Sequence, residues 1–232
     1  MTPRRLIITG GSSGIGEAVA YDMARDGSWM FLTGRSEEKL SKVSFEVERR
    51  GGKAFYSASD VGCEATVERM FDDAIRQLGW VDVVFLNAGV GYFGNLESLY
   101  VEQYDEQFNT NVRGVFLWLR KVLPLMRSRN MGQIIVTSSN LGLETSPRAG
   151  VYSATKHAVQ AMTWCVRDEL GGTNVKASTI NPGSVATPWY KGRNMDFSNM
   201  LSAEDVARTV RHIVEQSETS NIDHILLKPG HS

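Results

Sequence analysis

The segment Thr9-Gly10-Gly11-Ser12-Ser13-Gly14-Ile15-Gly16 has the residue types and spacing of a phosphate-binding turn. It follows a short apolar run and precedes a helical pattern, so its glycines stand where a strand turns into a helix. Glycine lets a pyrophosphate approach the free N–H groups at the helix N-terminus. The glycines fall at 10, 14 and 16, which departs from G-x-G-x-x-G, and no Gly-Lys-Ser/Thr of a P-loop follows. A bound dinucleotide is therefore expected, and a glycine-rich turn without a ligand is the alternative.

The end of the second predicted strand bears on which dinucleotide binds. An acidic residue that accepts a hydrogen bond from a free ribose 2′-hydroxyl is expected about 20 residues beyond the glycine turn. Gly34-Arg35-Ser36 stands there instead. A small residue followed by a guanidinium leaves room for a 2′-phosphate and offers it a bidentate partner. This predicts NADP(H) in preference to NAD(H), unless Arg35 is only a solvated residue at a helix start; the uncharged Ser13 offers no second basic contact.

Tyr152 and Lys156 lie four residues apart in a helical pattern, so they share one helix face. Such a pair is weak by itself, because a chance match somewhere in the chain is roughly a one-in-three event. Its significance comes from three polar or glycine-containing segments that each end a predicted strand. These are Ser138-Ser139, Asn87-Ala88-Gly89 and Asn181-Pro182-Gly183. Parallel strands present their carboxyl ends at one edge, where doubly wound sheets bind ligands.

The elements that must position these residues alternate between short apolar runs and longer helical patterns. Strands are predicted at 6–9, 29–33, 53–58, 81–86, 133–137, 175–180 and 225–227, and helices at 15–26, 36–50, 65–78, 101–110, 112–129 and 151–170. Continuous apolar strands separated by helices predict a parallel sheet covered on both faces, hence an α/β doubly wound, Rossmann-like fold. We expect one domain over residues 1–232. The irregular segment 184–202 suits either a substrate loop or an ordinary surface connection.

Composition narrows the function classes. The chain has 232 residues and a formal net charge of -1, which gives no electrostatic reason to expect nucleic acid or an anionic membrane as a partner. Two cysteines, Cys63 and Cys165, cannot form a disulfide framework or a Cys-rich zinc site, and the four histidines have no metal-ligand spacing, so no metal is expected. Neither a signal peptide nor a membrane-length apolar run is recognised. A cytoplasmic location is expected.

Taken together, the motifs resemble those of the short-chain dehydrogenase/reductase family, in its single-domain Tyr-x-x-x-Lys branch. They run from residue 9 to residue 187, and their order and spacing make the resemblance specific. The motifs are Thr9-Gly10-x-x-x-Gly14-Ile15-Gly16, Asp60-Val61, Asn87-Ala88-Gly89, Asn111, Ser139, Tyr152-x-x-x-Lys156 and Pro182-Gly183-x-x-x-Thr187. The resemblance implies a cofactor-binding part over about residues 1–110 and a catalytic and substrate-binding part over about residues 111–232.

The resemblance also implies catalytic roles. Tyr152 would be the general acid in carbonyl reduction and the base in the reverse direction. Lys156, together with the charge of the oxidised nicotinamide, would lower the pKa of Tyr152 and would also hold the nicotinamide ribose. Ser139, placed 13 residues before the tyrosine as in the family, would hydrogen-bond the substrate oxygen. Asn111 would support a water-mediated proton path to Lys156. Core packing and backbone capping are the structural alternatives for these four residues.

The implied cofactor contacts extend along the same edge. Asp60 would contact the adenine amino group, and Val61 would contact the adenine ring. Thr187 and the backbone after Pro182-Gly183 would anchor the carboxamide. The remaining cofactor contacts would come from Gly10, Ser12, Ser13, Gly14, Ile15, Gly16, Arg35, Asn87, Ala88, Gly89, Tyr152 and Lys156. Trp189-Tyr190 and Tyr92-Phe93 would either line the substrate pocket or pack their loops.

These expectations favour an NADP(H)-dependent carbonyl reductase or alcohol dehydrogenase acting on a small carbonyl or secondary alcohol substrate. One alternative is a 3-oxoacyl-carrier-protein reductase, for which Arg127, Arg129, Arg148 and Lys191 could supply a basic surface. Another is an inactive nucleotide-binding regulatory protein, although such a protein would usually have lost part of the Ser-Tyr-Lys set.

The family resemblance also implies a homodimer or homotetramer. The predicted Tyr152 helix carries small and apolar residues on more than one face: Ala154, Ala158, Ala161, Met162 and Val166. One face packs on the sheet, which leaves a second apolar strip to bury against another copy. Coverage of that strip by the helix near Val115–Leu119 of the same chain is the alternative.

Overall fold

A computed structural model describes residues 2–190 and 196–230 of the chain. Its centre is a sheet of seven strands, all parallel, with the spatial order β3-β2-β1-β4-β5-β6-β7. The strands are β1 (Arg5–Thr9), β2 (Trp29–Gly34), β3 (Lys53–Ala58), β4 (Val83–Leu86), β5 (Gly132–Thr137), β6 (Val175–Pro182) and β7 (His224–Leu227). The order changes direction between β1 and β4, which opens a crevice at the carboxyl ends of these two strands. The doubly wound α/β fold predicted from the sequence is confirmed.

Helices cover both faces of the sheet. They are α1 (Gly14–Ala24), α2 (Glu37–Arg49), α3 (Glu64–Leu78), α4 (Val101–Gln107), α5 (Gly114–Arg129), α6 (Gly150–Glu169) and α7 (Ala203–Val214). One apolar cluster joins α1, α2 and α7 to the sheet, and a second cluster joins α3, α5 and α6 to it. The two clusters are the two cores of a doubly wound fold, and they explain why the central strands are apolar without interruption.

Local capping sets where two helices begin. Ser36 accepts a hydrogen bond from the Lys39 backbone N–H at 3.4 Å, which starts α2. Ser202 and Asp205 form a reciprocal capping box at the start of α7, with distances of 3.1 Å and 2.8 Å. Such caps satisfy N–H groups that the first helical turn leaves without partners. They fix the helix starts next to the carboxyl edge of the sheet.

The helices predicted at 101–110 and 112–129 belong to one unbroken helical segment, but the hydrogen-bond pattern of this segment changes in the middle. Between α4 and α5, residues Phe108–Arg113 form a π-helical turn. A π turn holds one more residue per hydrogen-bonded ring than an α turn, and such turns are frequent at functional sites. Asn111 lies within this turn and is 1% exposed.

Strand ends differ from the predictions by small amounts. Strand β4 begins at Val83 rather than at residue 81, and β6 runs on to Pro182 rather than ending at residue 180. The extension of β6 arises because Asn181 and Pro182 still pair in register with Leu226 and Leu227 of β7. The turn residue at the end of β6 is therefore Gly183.

Short contacts organise the described residues of the segment between β6 and α7. Pro188–Tyr190 form a single 3₁₀ turn, and Val185 and Leu201 form an isolated parallel bridge. Residues 191–195 lie outside the described part of the chain. Among the described residues, no helix is both long enough and apolar enough to cross a membrane.

Candidate active site

A cleft of about 480 Å³ lies at the carboxyl edge of the sheet. It brings together nearly all the residues that the sequence singles out, although they come from seven separate chain segments. Those that line it are Gly10, Ser12, Ser13, Gly14, Ile15, Arg35, Asp60, Val61, Asn87, Ala88, Gly89, Ser139, Tyr152, Lys156, Pro182, Gly183 and Thr187. Gly16 and Asn111 are not among the lining residues; both lie directly behind it.

The glycine turn between β1 and α1 is specified by backbone geometry. Gly10 has a φ of +66°, and a Cβ built on it would lie 2.9 Å from the Ala88 Cα. A Cβ on Gly16 would lie 2.2 Å from the Gly10 carbonyl oxygen, so Gly16 serves close packing of the turn rather than the wall of the cleft. Ser13, the residue before α1, makes no side-chain cap. The N–H groups of the first turn therefore remain suited to a phosphate oxygen.

Asn87 ties the glycine turn to the next two strands. Its amide nitrogen donates to the carbonyl oxygens of Thr9 and Gly10 at 3.3 Å and 3.4 Å. Its amide oxygen accepts a hydrogen bond from the Thr137 hydroxyl at 3.2 Å. The polar segment after β4 thus holds the edge of β1, β4 and β5 together.

The two serines after β5 have different surroundings. Ser138 is 2% exposed and donates to the Lys156 carbonyl oxygen at 3.1 Å. Ser139 is hydrogen-bonded to the Tyr152 hydroxyl. Its own hydroxyl also donates to Asn140 Oδ1 at 3.1 Å. Ser139, not Ser138, is therefore the serine placed beside the tyrosine.

Tyr152 lies near the start of α6 with its ring between two other aromatic side chains. The ring centroids of Phe93 and Trp189 lie 5.2 Å and 5.9 Å from its own. Burial raises the pKa of the Tyr152 phenol above its usual value, and the hydrogen bond with Ser139 opposes part of that rise. Trp189 and Phe93 therefore pack directly on the candidate proton donor.

Lys156 lies one helical turn after Tyr152 and is 4% exposed. Its ammonium donates to the Thr137 carbonyl oxygen at 2.8 Å, and its Nζ lies 5.7 Å from the centre of the Tyr152 ring. Burial lowers the pKa of Lys156 to about 8. Burial disfavours the charged form of both groups. The pKa of Tyr152 is accordingly raised in this structure, and the lowering expected from Lys156 together with the oxidised nicotinamide stays a prediction.

Asn111 connects the π-helical turn to the floor of the cleft. Its Oδ1 accepts from the Val90 N–H at 2.8 Å, and its Nδ2 donates to the Val90 carbonyl at 2.9 Å and to the Thr155 hydroxyl at 3.0 Å. A Cβ built on Gly89 would lie 3.3 Å from Asn111 Oδ1 and 3.7 Å from Lys156 Nζ. Because Gly89 has no side chain, a small space stays open beside it, and both Asn111 Oδ1 and Lys156 Nζ border that space.

The far end of the cleft lies at the ends of β2 and β3. A Cβ on Gly34 would lie 2.9 Å from Ser12 Oγ, so the glycine leaves space beside the turn. Asp60 accepts from the Gly62 N–H at 2.8 Å. The Arg35 guanidinium forms an ion pair with Glu106 at 2.9 Å. Lys39 also lines this end, and no ion pair of Lys39 is found in the part of the chain that the structure describes.

Sequence reasoning missed Lys39 and Glu106. Lys39 follows the Gly34-Arg35-Ser36 segment in the first turn of α2, so its position near the same end was within reach of the helical pattern. Glu106 lies 71 residues after Arg35 and carries no local signal of its contact.

Of the four basic residues considered for a carrier-protein surface, the three that the structure describes do not gather in one place. Arg129 donates to the Val81 carbonyl, before the start of β4, and Arg127 pairs with Glu169 at the end of α6. Both lie at the edge of the sheet opposite the cleft. The Arg148 carbonyl oxygen accepts a hydrogen bond from the Gly94 N–H near the Tyr92-Phe93 segment, and Lys191 lies outside the described residues.

The arrangement fits a nicotinamide dinucleotide. The cradle is formed by glycines whose Cβ atoms would collide with backbone, an open helix N-terminus lies beside it, and a phenol and an ammonium stand at its other end. This donor set can bind an extended anionic ligand and can deliver one proton to an oxygen next to Ser139.

Comparison with known proteins agrees with this geometry. A family model described as short chain dehydrogenase matches residues 4–197. An uncharacterized oxidoreductase from Listeria innocua is 32% identical over 236 residues, which cover 97% of this chain and 95% of the relative.

Two solved structures superpose over nearly the whole chain. An alcohol dehydrogenase from the archaeon Thermococcus sibiricus, complexed with 5-hydroxy-NADP, has a TM-score of 0.92 at 30% identity and covers 99% of this chain and 97% of its own. A 3-ketoacyl-(acyl-carrier-protein) reductase from Brucella melitensis, complexed with NADH, has a TM-score of 0.89 at 26% identity and covers 99% and 98%.

Proposed function

Because this chain belongs to the short-chain dehydrogenase/reductase family, we propose that it transfers hydride between NADP(H) and a carbonyl or secondary alcohol substrate. The observation that carries this proposal is the Ser139–Tyr152 hydrogen bond beside Lys156 in a cleft whose other end is a glycine cradle. The set of groups needed for the reaction is complete in this chain. That completeness argues against an inactive regulatory protein on the same fold.

The proposed chemistry divides between the bound nicotinamide, which gives or takes the hydride, and the protein, which moves the proton. Tyr152 donates its phenolic proton to the substrate oxygen in the reduction and takes it back in the oxidation. Ser139 donates a hydrogen bond to the same oxygen and stabilises the negative charge that develops there. The raised pKa of Tyr152 keeps the phenol protonated, which suits the reductive direction.

Lys156 and Asn111 act behind Tyr152 in this proposal. Lys156 Nζ holds the ribose hydroxyls and, when protonated, stabilises the phenolate that proton donation leaves behind. Asn111, fixed by Val90 and Thr155, supports a water-mediated proton path to Lys156. Phe93 and Trp189 exclude water from the Tyr152 ring and present an apolar surface to the substrate.

Arg35 and Lys39 support NADP(H) as the preferred cofactor. Both cations line the end of the cleft where the ribose 2′-position of the adenosine is expected, and Gly34 leaves space there. A carrier-protein substrate is less well supported, because Arg127 and Arg129 lie at the opposite edge of the sheet.

The proposed function can be tested on the purified protein. NADPH absorbance is followed with a panel of ketones, aldehydes and acyl thioesters, and with secondary alcohols and NADP⁺ for the reverse direction. We expect turnover of at least one small ketone or aldehyde with NADPH. The absence of turnover for every member of the panel, with NADPH shown to bind, would instead favour a regulatory nucleotide-binding protein.

A further inference from the structure

Glu106 contacts two residues that line the cleft, and the proposed chemistry gives it no role. Its carboxylate forms an ion pair with the Arg35 guanidinium at 2.9 Å. The same carboxylate accepts a hydrogen bond from the Tyr92 hydroxyl. Arg35 and Tyr92 both line the cleft. A carboxylate from α4 is thus fixed against the residue expected to bind the 2′-phosphate.

The Arg35–Glu106 pair is accessible to solvent. The side chains are 70% and 36% exposed, respectively. Ion pairs of this kind are weak, so a phosphate can displace the carboxylate from Arg35. Because the pair is weak, it also restrains Arg35 only slightly, and any benefit of holding the guanidinium in place is small. The larger effect on a bound phosphate is the negative charge of Glu106 itself.

The charges at this end of the cleft decide the sign of that effect. A 2′-phosphate carries about 1.5 to 2 negative charges near neutral pH. The phosphate would share the Arg35 guanidinium with the Glu106 carboxylate, which already contacts Arg35. The same carboxylate would repel the phosphate. Lys39 lines the same end, so the phosphate retains a cation of its own. A free 2′-hydroxyl carries no charge, and NADH is therefore much less sensitive to Glu106.

Tyr92 holds the Glu106 carboxylate in place. Its hydrogen bond to Glu106 is the largest cause of the raised pKa of Tyr92, which therefore remains a donor to the carboxylate. The Tyr92 backbone N–H is in turn bonded to Gln107 Oε1 at 3.2 Å, and Gln107 is buried. The carboxylate is thus held by the segment after β4 as well as by α4.

We infer that Glu106 is a specificity-determining residue that competes with the 2′-phosphate for Arg35 and limits the preference of this protein for NADP(H) over NAD(H). This inference rests on the proposed cofactor role of Arg35. It assigns cofactor discrimination to a pair of residues from two distant segments rather than to the β2–α2 turn alone.

The test compares Glu106→Gln with Glu102→Gln, which removes the same charge from the same helix one turn earlier. Dissociation constants are measured by titration calorimetry for NADPH, NADH, adenosine 2′,5′-bisphosphate and 5′-AMP at two ionic strengths. We expect Glu106→Gln to tighten NADPH and the 2′,5′-bisphosphate about three- to tenfold, less so at high salt. NADH and 5′-AMP should change less than twofold, and Glu102→Gln should leave all four constants within twofold.

Unchanged or weaker NADPH binding in Glu106→Gln overturns the inference, as does an equal gain for NADPH and NADH. Arg35→Ala separates this failure from a failure of the proposed cofactor role. If Arg35→Ala weakens NADPH selectively and Glu106→Gln has no effect, only the role of Glu106 is wrong. If Arg35→Ala does not weaken NADPH selectively, the cofactor assignment itself fails. In the double variant the gain from Glu106→Gln should shrink but persist, because competition for Arg35 is lost while the direct repulsion between Glu106 and the phosphate is still relieved.

Discussion

Tyr152 is the residue whose removal should separate chemistry from binding. Tyr152→Phe deletes the hydroxyl that contacts Ser139 and keeps the ring that packs on Phe93 and Trp189. We expect turnover on a substrate found in the panel to fall below a few per cent of the original rate, while the dissociation constant for NADPH changes little.

Steady-state kinetics and calorimetry measure the two quantities on the same preparation. Tyr104→Phe, which removes a hydroxyl from an exposed ring on α4, is the matched control and should retain full turnover. A Tyr152→Phe protein with more than a few per cent of the original rate would show that another group donates the proton.

Lys156 should leave a signature in the pH dependence of stability. Its pKa is about 8 in the folded protein and about 10.5 when exposed. Between these values the unfolded chain binds more protons than the folded chain, so the free energy of unfolding rises with pH. Within that window Lys156 adds about 1.4 kcal/mol to the free energy of unfolding for each pH unit. Below the window Lys156 adds nothing to the slope of the free energy of unfolding against pH.

Urea unfolding at pH 7, 8, 9 and 9.5 measures this contribution as a difference between the original protein and Lys156→Met. We expect the plots of the free energy of unfolding against pH to be parallel for the two proteins below pH 8. Above pH 8 the free energy of unfolding of the original protein should rise relative to that of the variant. Lys42→Met, on the exposed face of α2, should show no such change of slope. Parallel curves over the whole range would mean that Lys156 is solvated in solution.

At the scale of elements, the π-helical turn between α4 and α5 depends on Asn111. Asn111→Ala removes three hydrogen bonds at a buried position and leaves the Val90 N–H and carbonyl without these partners. We expect the free energy of unfolding to fall by about 2 kcal/mol or more, measured by urea denaturation. Asn109→Ala, in the same turn but exposed, should lose less than about 0.5 kcal/mol. Equal losses in the two variants would contradict the role of the Asn111 amide.

The elements also show which features a sequence encodes locally. Strands β1 to β3 and their following turns were predicted within one or two residues, because continuous apolar runs and glycine or serine boundaries are local signals. The alignment of the strand ends then followed from parallel pairing, which brought Ser139, Tyr152 and the glycine turn to one edge.

Other features depend on contacts between distant segments. The helical pattern around Asn111 is the same for an α turn and a π turn, so the π turn was not predicted. The Arg35–Glu106 pair joins residues 71 positions apart. The balance of burial and charge that sets the pKa values of Tyr152 and Lys156 likewise needs the packed structure.

At the scale of the whole molecule, α6 presents an apolar strip away from the sheet. Ala154 and Ala161 are exposed and Ala158 is partly exposed, whereas Val159 and Val166 on the other side are buried. Helix α5 of the same chain therefore leaves this strip uncovered. We expect two copies to pack on it as a homodimer or as part of a homotetramer.

Light scattering at micromolar concentration measures the assembly directly. A mass near 25.7 kDa, that of one chain, would refute the expected assembly. Ala158→Arg should shift the equilibrium toward that mass by placing a charge in the strip, and Arg49→Ala on α2 is a surface control that should not. Full assembly of Ala158→Arg would place the interface elsewhere.

The π-helical turn also makes the length of one segment matter more than its side chains. A π turn holds one residue more than an α turn, so deleting a single residue from Phe108–Arg113 would let the helix become uniformly α while α4 and α5 keep nearly the same facing. Glu106 and Gln107 would then stay near Tyr92, but the widened turn that carries Asn111 would be lost, and with it the Asn111 contacts to Val90 and Thr155. Gene variants with an altered residue count here should therefore lose the organisation of the cleft, even where exposed positions such as Asn109 accept many substitutions. The number of residues between α4 and α5 is therefore a determinant of the site in its own right.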